Sequence, residues 1–246
     1  MRILFTNDDG YDSIGLQAVA DLFKDGYEIA VIAPDRQRSA MSHAMSTHTP
    51  FTCREVSGYR FPVYALGGTP VDCAKFGITT LFKKPDVIVS GINNGPNIGS
   101  DIMYSGTVGA AFEAPYFDCK GFALSLDKIN PSADDYKRCA KFFYDNFDRL
   151  CGLKLEKRTM ININFPSTDK PKGVKIARMS LSHVFGDNYD NTVGEEFMYR
   201  AKRGEHPYSD SDEEYCVNGY ITITPLTMDQ TDYASLKRIK REKFIL

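Results

Sequence analysis

Arg2-Ile3-Leu4-Phe5-Thr6-Asn7-Asp8-Asp9-Gly10 is the stretch on which the reading of this chain turns. Its first five residues form a short β-favouring run. An amide, two adjacent carboxylates and a glycine follow at once. At the carboxyl end of a strand in an open α/β sheet, such residues stand where ligands bind. Adjacent carboxylates repel, so keeping both ionised calls for a compensating cation. The same residues also fit an Asx turn joining a strand to a helix. The rest of the sequence has to decide between the two readings.

Outward from Gly10, Leu16, Val19, Ala20 and Phe23 recur at helical spacing, with Asp12 or Ser13 available as a cap. Tyr27 to Ala33 reads as a second strand stopped by Pro34, and Asp35 to Thr49 as a polar loop. Thr69-Pro70 opens another helix with Asp72 near its positive end and Val71, Ala74, Ile78, Leu81 and Phe82 as its apolar stripe. Asp86 to Gly91 is a β-branched strand suited to burial on both faces, followed by a long glycine-rich loop. A helix is expected from Ser105 to Glu113, ended by Pro115, and a strand over Gly121 to Leu126. Ser132 introduces a helix with Cys139, Phe142, Phe143, Phe147 and Leu150 on one face. Alternation of this kind predicts an α/β fold with a mainly parallel, doubly wound sheet.

The second half is less regular. Thr159 to Phe165, Gly173 to Met179 and Tyr220 to Pro225 look like strands, and Thr231 to Lys243 like a basic-tipped terminal helix. Between them, residues 182–216 form a long aromatic and charged segment, an arm toward a partner subunit or a lid. The acidic run from Ser209 to Glu214 reads as a solvated turn. No repeat or low-complexity linker is visible. One domain over 1–246 is expected, with the catalytic core in about 1–130 and an extension in about 180–246.

Composition narrows the class. The chain has 246 residues, 42% hydrophobic and 25% charged, with a net charge of −2. That is ordinary for a globular protein and leaves no large basic footprint for nucleic acid. Its six cysteines contain no Cys-x-x-Cys pair, so zinc ribbons and thioredoxin-like sites are not expected. The amino terminus runs directly into a strand, no apolar run reaches membrane-spanning length, and a cytoplasmic protein is expected.

Three polar segments follow three of these strands: Asn7 to Gly10, Asp35 to Ser39, and Gly91 to Asn97. Parallel strands bring such loops to one sheet edge. Two carboxylates, a hydroxyl and an amide oxygen make a hard, oxygen-only donor set, suited to Mg²⁺ or Mn²⁺ rather than zinc or copper. Few protein ligands then remain, leaving positions for water and a substrate oxygen, as metal-assisted hydrolysis requires. Tyr104-Ser105-Gly106-Thr107-Val108 adds hydroxyls and a helix start that suits phosphate, though taken by itself the motif is more simply a capping serine and a helix-packing glycine. Asn97 could donate its amide to the same anion. Gly91, Gly95 and Gly99 match neither a dinucleotide fingerprint nor a Walker A loop.

Taken together, these segments resemble the SurE (survival protein E) family of metal-dependent 5′-nucleotidases. The resemblance lies in Asn7-Asp8-Asp9-Gly10, Ala33-Pro34-Asp35-Arg36-x-Arg38-Ser39 and Gly68-Thr69-Pro70-x-Asp72-Cys73. It continues in Val89-Ser90-Gly91-Ile92-Asn93-x-Gly95-x-Asn97-x-Gly99-x-Asp101, in Tyr104 to Val108 with Ala110, Ala111 and Glu113, and in Gly219 to Leu226 with Thr231-Asp232. It implies a Rossmann-like core and one divalent ion per subunit, Mg²⁺ or Mn²⁺, held by Asp8, Asp9, Ser39 and Asn93. It places phosphate near Asn97, Ser105, Gly106 and Thr107. A homodimer or homotetramer formed through exchanged carboxyl-terminal segments is also implied. Two departures are visible: Ala40 replaces the family's usual glycine, and Ala44 and Ser46 replace a more regular Ser/Thr pattern.

The reaction expected is hydrolysis of nucleoside 5′-monophosphates by a metal-activated water, with Asp8 and Asp9 catalytic and Asp8 the preferred residue for positioning that water. A phosphatase acting mainly on 3′-nucleotides or polyphosphate would use the same site, and a catalytically silent nucleotide sensor is the rival from another class. His43 is weighed as an acid for the leaving oxygen and read as a loop histidine; His48, His183 and His206 are read as incidental. Arg36 and Arg38 fit a phosphate contact or an inter-loop ion pair, and Asp35 an orienting role. Tyr104 and the aromatics of 185–199 could stack on a base, but packing in a subunit interface is the default reading.

Overall fold

The computed structural model of the chain describes residues 1–182, 185–194, 196–203 and 208–242. His183, His206 and the Lys243 end of the expected terminal helix lie outside them.

The sheet grows outward from its first strand. β1 (Arg2–Thr6) pairs in parallel with β2 (Glu28–Pro34) on one side and with β5 (Val87–Asn94) on the other. Beyond β2 lie parallel β4 (Val63–Leu66) and the short antiparallel edge strand β3 (Cys53–Glu55). Beyond β5 lie parallel β6 (Lys120–Leu126) and β7 (Thr159–Phe165), then antiparallel β11 (Ile221–Thr227) and β8 (Val174–Ile176). The order is β3-β4-β2-β1-β5-β6-β7-β11-β8. The chain winds from β1 to β4 in one direction and returns at β5 to build the other half. The topological switch point therefore falls between β1 and β5, where a ligand crevice opens beyond the strand ends.

Side-chain alternation along the strands explains the layers. Ile3 and Phe5 of β1 face a core shared with Leu16, Val19 and Phe23 of α1 (Ile14–Phe23) and Phe143 and Phe147 of α4 (Ala133–Cys151). Leu4, between them, faces the opposite core with Ile32, Ile88 and Cys73, the last from α2 (Pro70–Phe76). α3 (Gly106–Phe112) packs on that second side through Val108 and Ala111. Phe23 makes edge-on ring contacts with Phe147 at 4.8 Å and Tyr144 at 4.9 Å. Each fully buried Phe contributes roughly 2–3 kcal/mol of apolar transfer.

Local chemistry sets the helix starts. Thr69 with Asp72, and Ser132 with Asp135, form capping boxes at α2 and α4. α2 is shorter than its apolar stripe implies and passes into a π-helical turn over Gly77–Leu81. The carboxyl-terminal helix is α6 (Tyr233–Ile239), capped by Asp232.

Three expectations are corrected. The strand expected to stop at Gly91 continues to Asn94, with one extra residue inserted against β6 between Ser90 and Asn93. No strand is expected between residues 50 and 68, yet β3 and β4 lie there and complete the sheet. The acidic run is not a solvated turn: Ser211, Asp212 and Glu213 are buried at the start of α5 (Asp212–Val217). In the long aromatic segment, β9 (Phe185–Asn191) and β10 (Phe197–Arg203) form an antiparallel hairpin of their own.

Candidate active site

The turn after β1 satisfies both readings of its sequence, divided among its residues. Asn7 is buried and makes the turn: its Nδ2 donates to the Gly10 carbonyl at 2.9 Å and to Ser13 Oγ at 2.6 Å, and its Oδ1 accepts from the Gly10 amide at 3.2 Å. Ser13 begins α1 without capping it, because its hydroxyl is engaged by Asn7. Gly10 sits at φ +107°, which a side chain would strain. With Asn7 closing the turn, the carboxylates of Asp8 and Asp9 are left for the crevice. The Asp8 carbonyl accepts from the Arg38 amide at 2.7 Å, tying the loop after β2 to the loop after β1.

Asp8 is buried, and burial pushes its carboxyl up to about 6; the Thr107 hydroxyl opposes this and the Asp9 charge adds to it. Burial likewise raises Asp9, against the Asn94 amide, which donates to its Oδ2 at 3.0 Å. Among the described residues no Lys or Arg forms an ion pair with either carboxylate. A buried acid and a partly buried one side by side, with no cationic side chain paired to them among the described residues, form a site whose ionised state a bound cation would stabilise.

The inserted residue in β5 turns the next donor inward. Gly91 has φ +126°, and a Cβ there would stand 2.2 Å from the Leu124 carbonyl oxygen, so only glycine fits. Asn93 follows, with Nδ2 donating to the Gly95 carbonyl at 2.8 Å, which leaves Oδ1 as the outward end of the amide. Thr107 Oγ1 lies 2.5 Å from Asp8 Oδ1 and 3.4 Å from that Asn93 Oδ1, bringing the two oxygens to one hydroxyl.

Asp8, Asp9, Ser39, Asn93, Asn97 and Ser105 line a single cavity of about 540 Å³. Gly106 and Thr107 stand behind Asp8 instead. A Cβ on Gly106 would come within 3.2 Å of Asp8 Cβ, and the single hydroxyl proton of Thr107 is given to Asp8. Ser105 caps α3 by accepting from the Val108 amide at 3.0 Å and keeps its own O–H to donate. Among the described residues no three His, Cys, Asp or Glu side chains gather as a metal cluster. The candidate donors are two carboxylates, an amide oxygen and a hydroxyl, a set that fits Mg²⁺ or Mn²⁺.

Asn97 is held by residues that the sequence reading passed over. Its amide donates to Asn164 Oδ1 at 2.8 Å, its carbonyl accepts from Asn162 Nδ2 at 2.7 Å and Asn164 Nδ2 at 2.9 Å, and its own Nδ2 donates to Ser125 Oγ at 2.7 Å. The signal was present in β7, Thr-Met-Ile-Asn-Ile-Asn-Phe: two amides on alternate positions of an otherwise apolar strand share one face. Asp212 is the second such residue. Its carboxylate accepts from the amides of Gly99 at 3.2 Å and Ser180 at 2.8 Å, fastening the site loop to the far end of the chain.

The loop bearing Ser39 lies on α3. Ala40 and Ser42 adopt φ +56° and +52°, the Ser42 amide donates to the Tyr104 carbonyl at 3.0 Å, and a Cβ on Gly109 would meet the Ser42 carbonyl at 2.7 Å. His43 Nε2 pairs with Oε1 of buried Glu113 at 2.7 Å, with Lys75 3.6 Å from Oε2. That contact makes His43 a strut between loop and helix. Arg38 is likewise committed, to the Gly67 carbonyl at 2.9 Å and Asp35 at 3.7 Å, and Asp35 serves to orient it.

The chain matches the family model "Survival protein SurE" over residues 3–185. It is 38% identical to a protein of a Thermoanaerobacter species named 5′-nucleotidase SurE, over 95% of this chain and 94% of that one. It is 36% identical to a protein of the same name from Caldanaerobacter subterraneus subsp. tengcongensis, over 98% and 97%. The SurE protein crystal structure from Aquifex aeolicus superposes with a TM-score of 0.84 at 30% identity, covering 98% of each chain. By sequence over nearly its whole length and by fold, this chain belongs to the SurE family.

Proposed function

We propose that this protein is a metal-dependent 5′-nucleotidase that hydrolyses nucleoside 5′-monophosphates to nucleoside and phosphate. The observation that carries the reading is the adjacent carboxylates of buried Asp8 and partly buried Asp9 at the β1/β5 switch point, without a cationic partner among the described residues and with an oriented amide oxygen beside them. The names of the relatives support the same activity. Asp8, Asp9, Ser39 and Asn93 would hold one divalent ion, Mg²⁺ or Mn²⁺. Bound there, such an ion supplies positive charge to the phosphate oxygens and lowers the pKa of a water.

The chain's own groups do the rest. Asp8, held by Thr107, positions the attacking water on the phosphorus. Asn97 has spent one Nδ2 hydrogen on Ser125 and aims the other at a phosphate oxygen, and the Ser105 hydroxyl donates to a second. Gly106 acts from behind: a Cβ there would come within 3.2 Å of Asp8 Cβ, so its bare backbone lets the Asp8 carboxylate sit against the start of α3. These donors stabilise the charge that builds up on the equatorial oxygens as the bond to the 5′-oxygen breaks.

The same proposal extends to a single functional unit over 1–246, assembled as a homodimer or homotetramer through its carboxyl-terminal segments and working in the cytoplasm. No helix among the described residues is long and apolar enough to cross a membrane. The test is phosphate release from a panel of 5′- and 3′-nucleotides and polyphosphate, with Mg²⁺ or Mn²⁺ and with chelator. Chelator-sensitive release from the 5′-monophosphates is expected. Release that chelator leaves untouched, or none from any nucleotide, would overturn the reading.

A further inference from the structure

We propose that a separate cavity, on the face of the sheet away from Asn97, is an effector site for a small amphipathic carboxylate. Its occupation tightens the metal and phosphate site through the ends of β6 and β7. The site itself stands apart from the nucleotidase reading above; only its coupling rests on Asn93 and Asn97 having the roles given there.

The cavity measures about 290 Å³, near the lower end of the range for small-molecule sites. Leu126, Phe142, Phe165, Val174 and Ile221 give it an apolar floor, and Lys128, Arg138 and Asp169 share its lining. The two cations are divided between two carboxylates of different standing. Lys128 Nζ lies 2.7 Å from Asp135 Oδ1 and 2.9 Å from Asp169 Oδ1. Arg138 pairs with the same two oxygens, at 2.7 Å from that of Asp169. Asp135 is buried and fixed in the capping box of α4, where it accepts from the Ser132 amide and hydroxyl at 2.7 Å each. The Asp169 side chain is 64% exposed, and an ion pair so open to water is weak. A ligand carboxylate can take its place between Lys128 and Arg138 while an apolar body covers the floor. Cations above an apolar floor select an amphipathic anion over a neutral ligand of the same shape.

Strand alternation joins this cavity to the opposite face. Ser125 and Asn164 are paired neighbours on β6 and β7, and Leu126 and Phe165 are the next pair. The first pair holds Asn97, and the second lies in the cavity floor. Another tie runs through the backbone: the Gly95 amide donates to the Leu126 carbonyl at 3.0 Å, and the Gly95 carbonyl accepts from Asn93 Nδ2 at 2.8 Å. A ligand packed on Leu126 and Phe165 holds both strand ends. Asn93 and Asn97 then lose less freedom when their own ligands bind.

The probe is hexanoate, with 1-hexanol as its uncharged counterpart. Calorimetry on the full chain measures hexanoate affinity, then Mn²⁺ and inorganic phosphate affinity with and without saturating hexanoate. Hexanoate is expected to bind, and 1-hexanol to bind roughly tenfold more weakly. Asp169→Asn removes the competing charge at an exposed position and should tighten hexanoate about threefold, while Lys128→Met should weaken it by about the same factor. Saturating hexanoate should tighten Mn²⁺ and phosphate binding about fivefold, and Mn²⁺ with phosphate should tighten hexanoate equally. No hexanoate binding, equal binding of 1-hexanol, or an affinity that Asp169→Asn leaves unchanged overturns the site. Mn²⁺ and phosphate affinities that hexanoate leaves unchanged or weakens overturn the coupling. A hexanoate response that comes with a change of oligomeric state by light scattering overturns the inference as well, because the cavity would then belong to an interface between copies. If wild type binds neither Mn²⁺ nor phosphate, the nucleotidase reading fails and the coupling with it, and the hexanoate arms still decide the site.

Discussion

Replacing Asp8 by Asn should make the protein inactive and, without metal, more stable. Burial lifts the Asp8 carboxyl from 3.8 to about 6, so the folded protein binds that proton more tightly than the unfolded chain does. The difference corresponds to about 3 kcal/mol, at about 1.4 kcal/mol for each tenfold in proton affinity. The sign follows from linkage. Below pH 4 both states carry the proton and the group costs nothing. Between pH 4 and 6 the unfolded chain releases its proton first, and stability falls as pH rises. Above pH 6 the whole cost is present unless a cation offsets it. Asn keeps an oxygen for Thr107 and removes the charge. In chelator at pH 7.5, Asp8→Asn should therefore exceed wild type by up to about 3 kcal/mol, or about 6–12 °C in Tm for a chain of this size. At pH 3.5 the two should coincide. Added Mn²⁺ should raise the Tm of wild type and leave the variant unmoved, while nucleotide turnover is lost. Urea denaturation and thermal scans at both pH values, with and without Mn²⁺, supply the measurement. A variant less stable than wild type at pH 7.5 in chelator, or a stability difference that ignores pH, would refute this account of Asp8.

Gly109→Ala places a Cβ 2.7 Å from the Ser42 carbonyl, and backbone cannot yield as a side-chain tip does; about 1–3 kcal/mol of stability should be lost, with weaker Mn²⁺ binding by calorimetry as the Ser39 loop lifts. His43→Ala leaves buried Glu113 with only Lys75 at 3.6 Å. Because the imidazole is partly exposed, a loss of about 1 kcal/mol in urea denaturation is expected, and an unchanged midpoint would remove the strut. Ala40→Gly relieves a left-handed residue at φ +56°; a gain of about 0.5–1 kcal/mol is expected, and a lower Tm would show that the turn is not strained.

Much of the fold was legible because burial imposes a period. Leu16, Val19 and Phe23 at helical spacing, and the β-branched run Val87-Ile88-Val89, each meet a core where they were expected to. The parts that were misread are those where periodicity is weak or local chemistry is ambiguous. β3 is three residues long and exposed, so it carries no apolar signature. The run from Ser209 to Glu214 looked solvated because carboxylates usually are. Asp212 is buried because the amides of Gly99 and Ser180, distant in sequence, converge on it and satisfy its oxygens.

The sequence by itself determined the strand-loop-helix units and the oxygen-rich composition of three loops, since local propensity and turn chemistry are written in neighbouring residues. Only the tertiary structure decided which side chains share a cavity. Thr107 turned out to face Asp8, His43 to face Glu113, and Arg38 to face Gly67. The same is true of Tyr189 and Tyr199 beside Asp8. Such pairings join residues tens of positions apart, and their geometry depends on how parallel strands are ordered and where one residue is inserted in β5, which no short window of sequence contains.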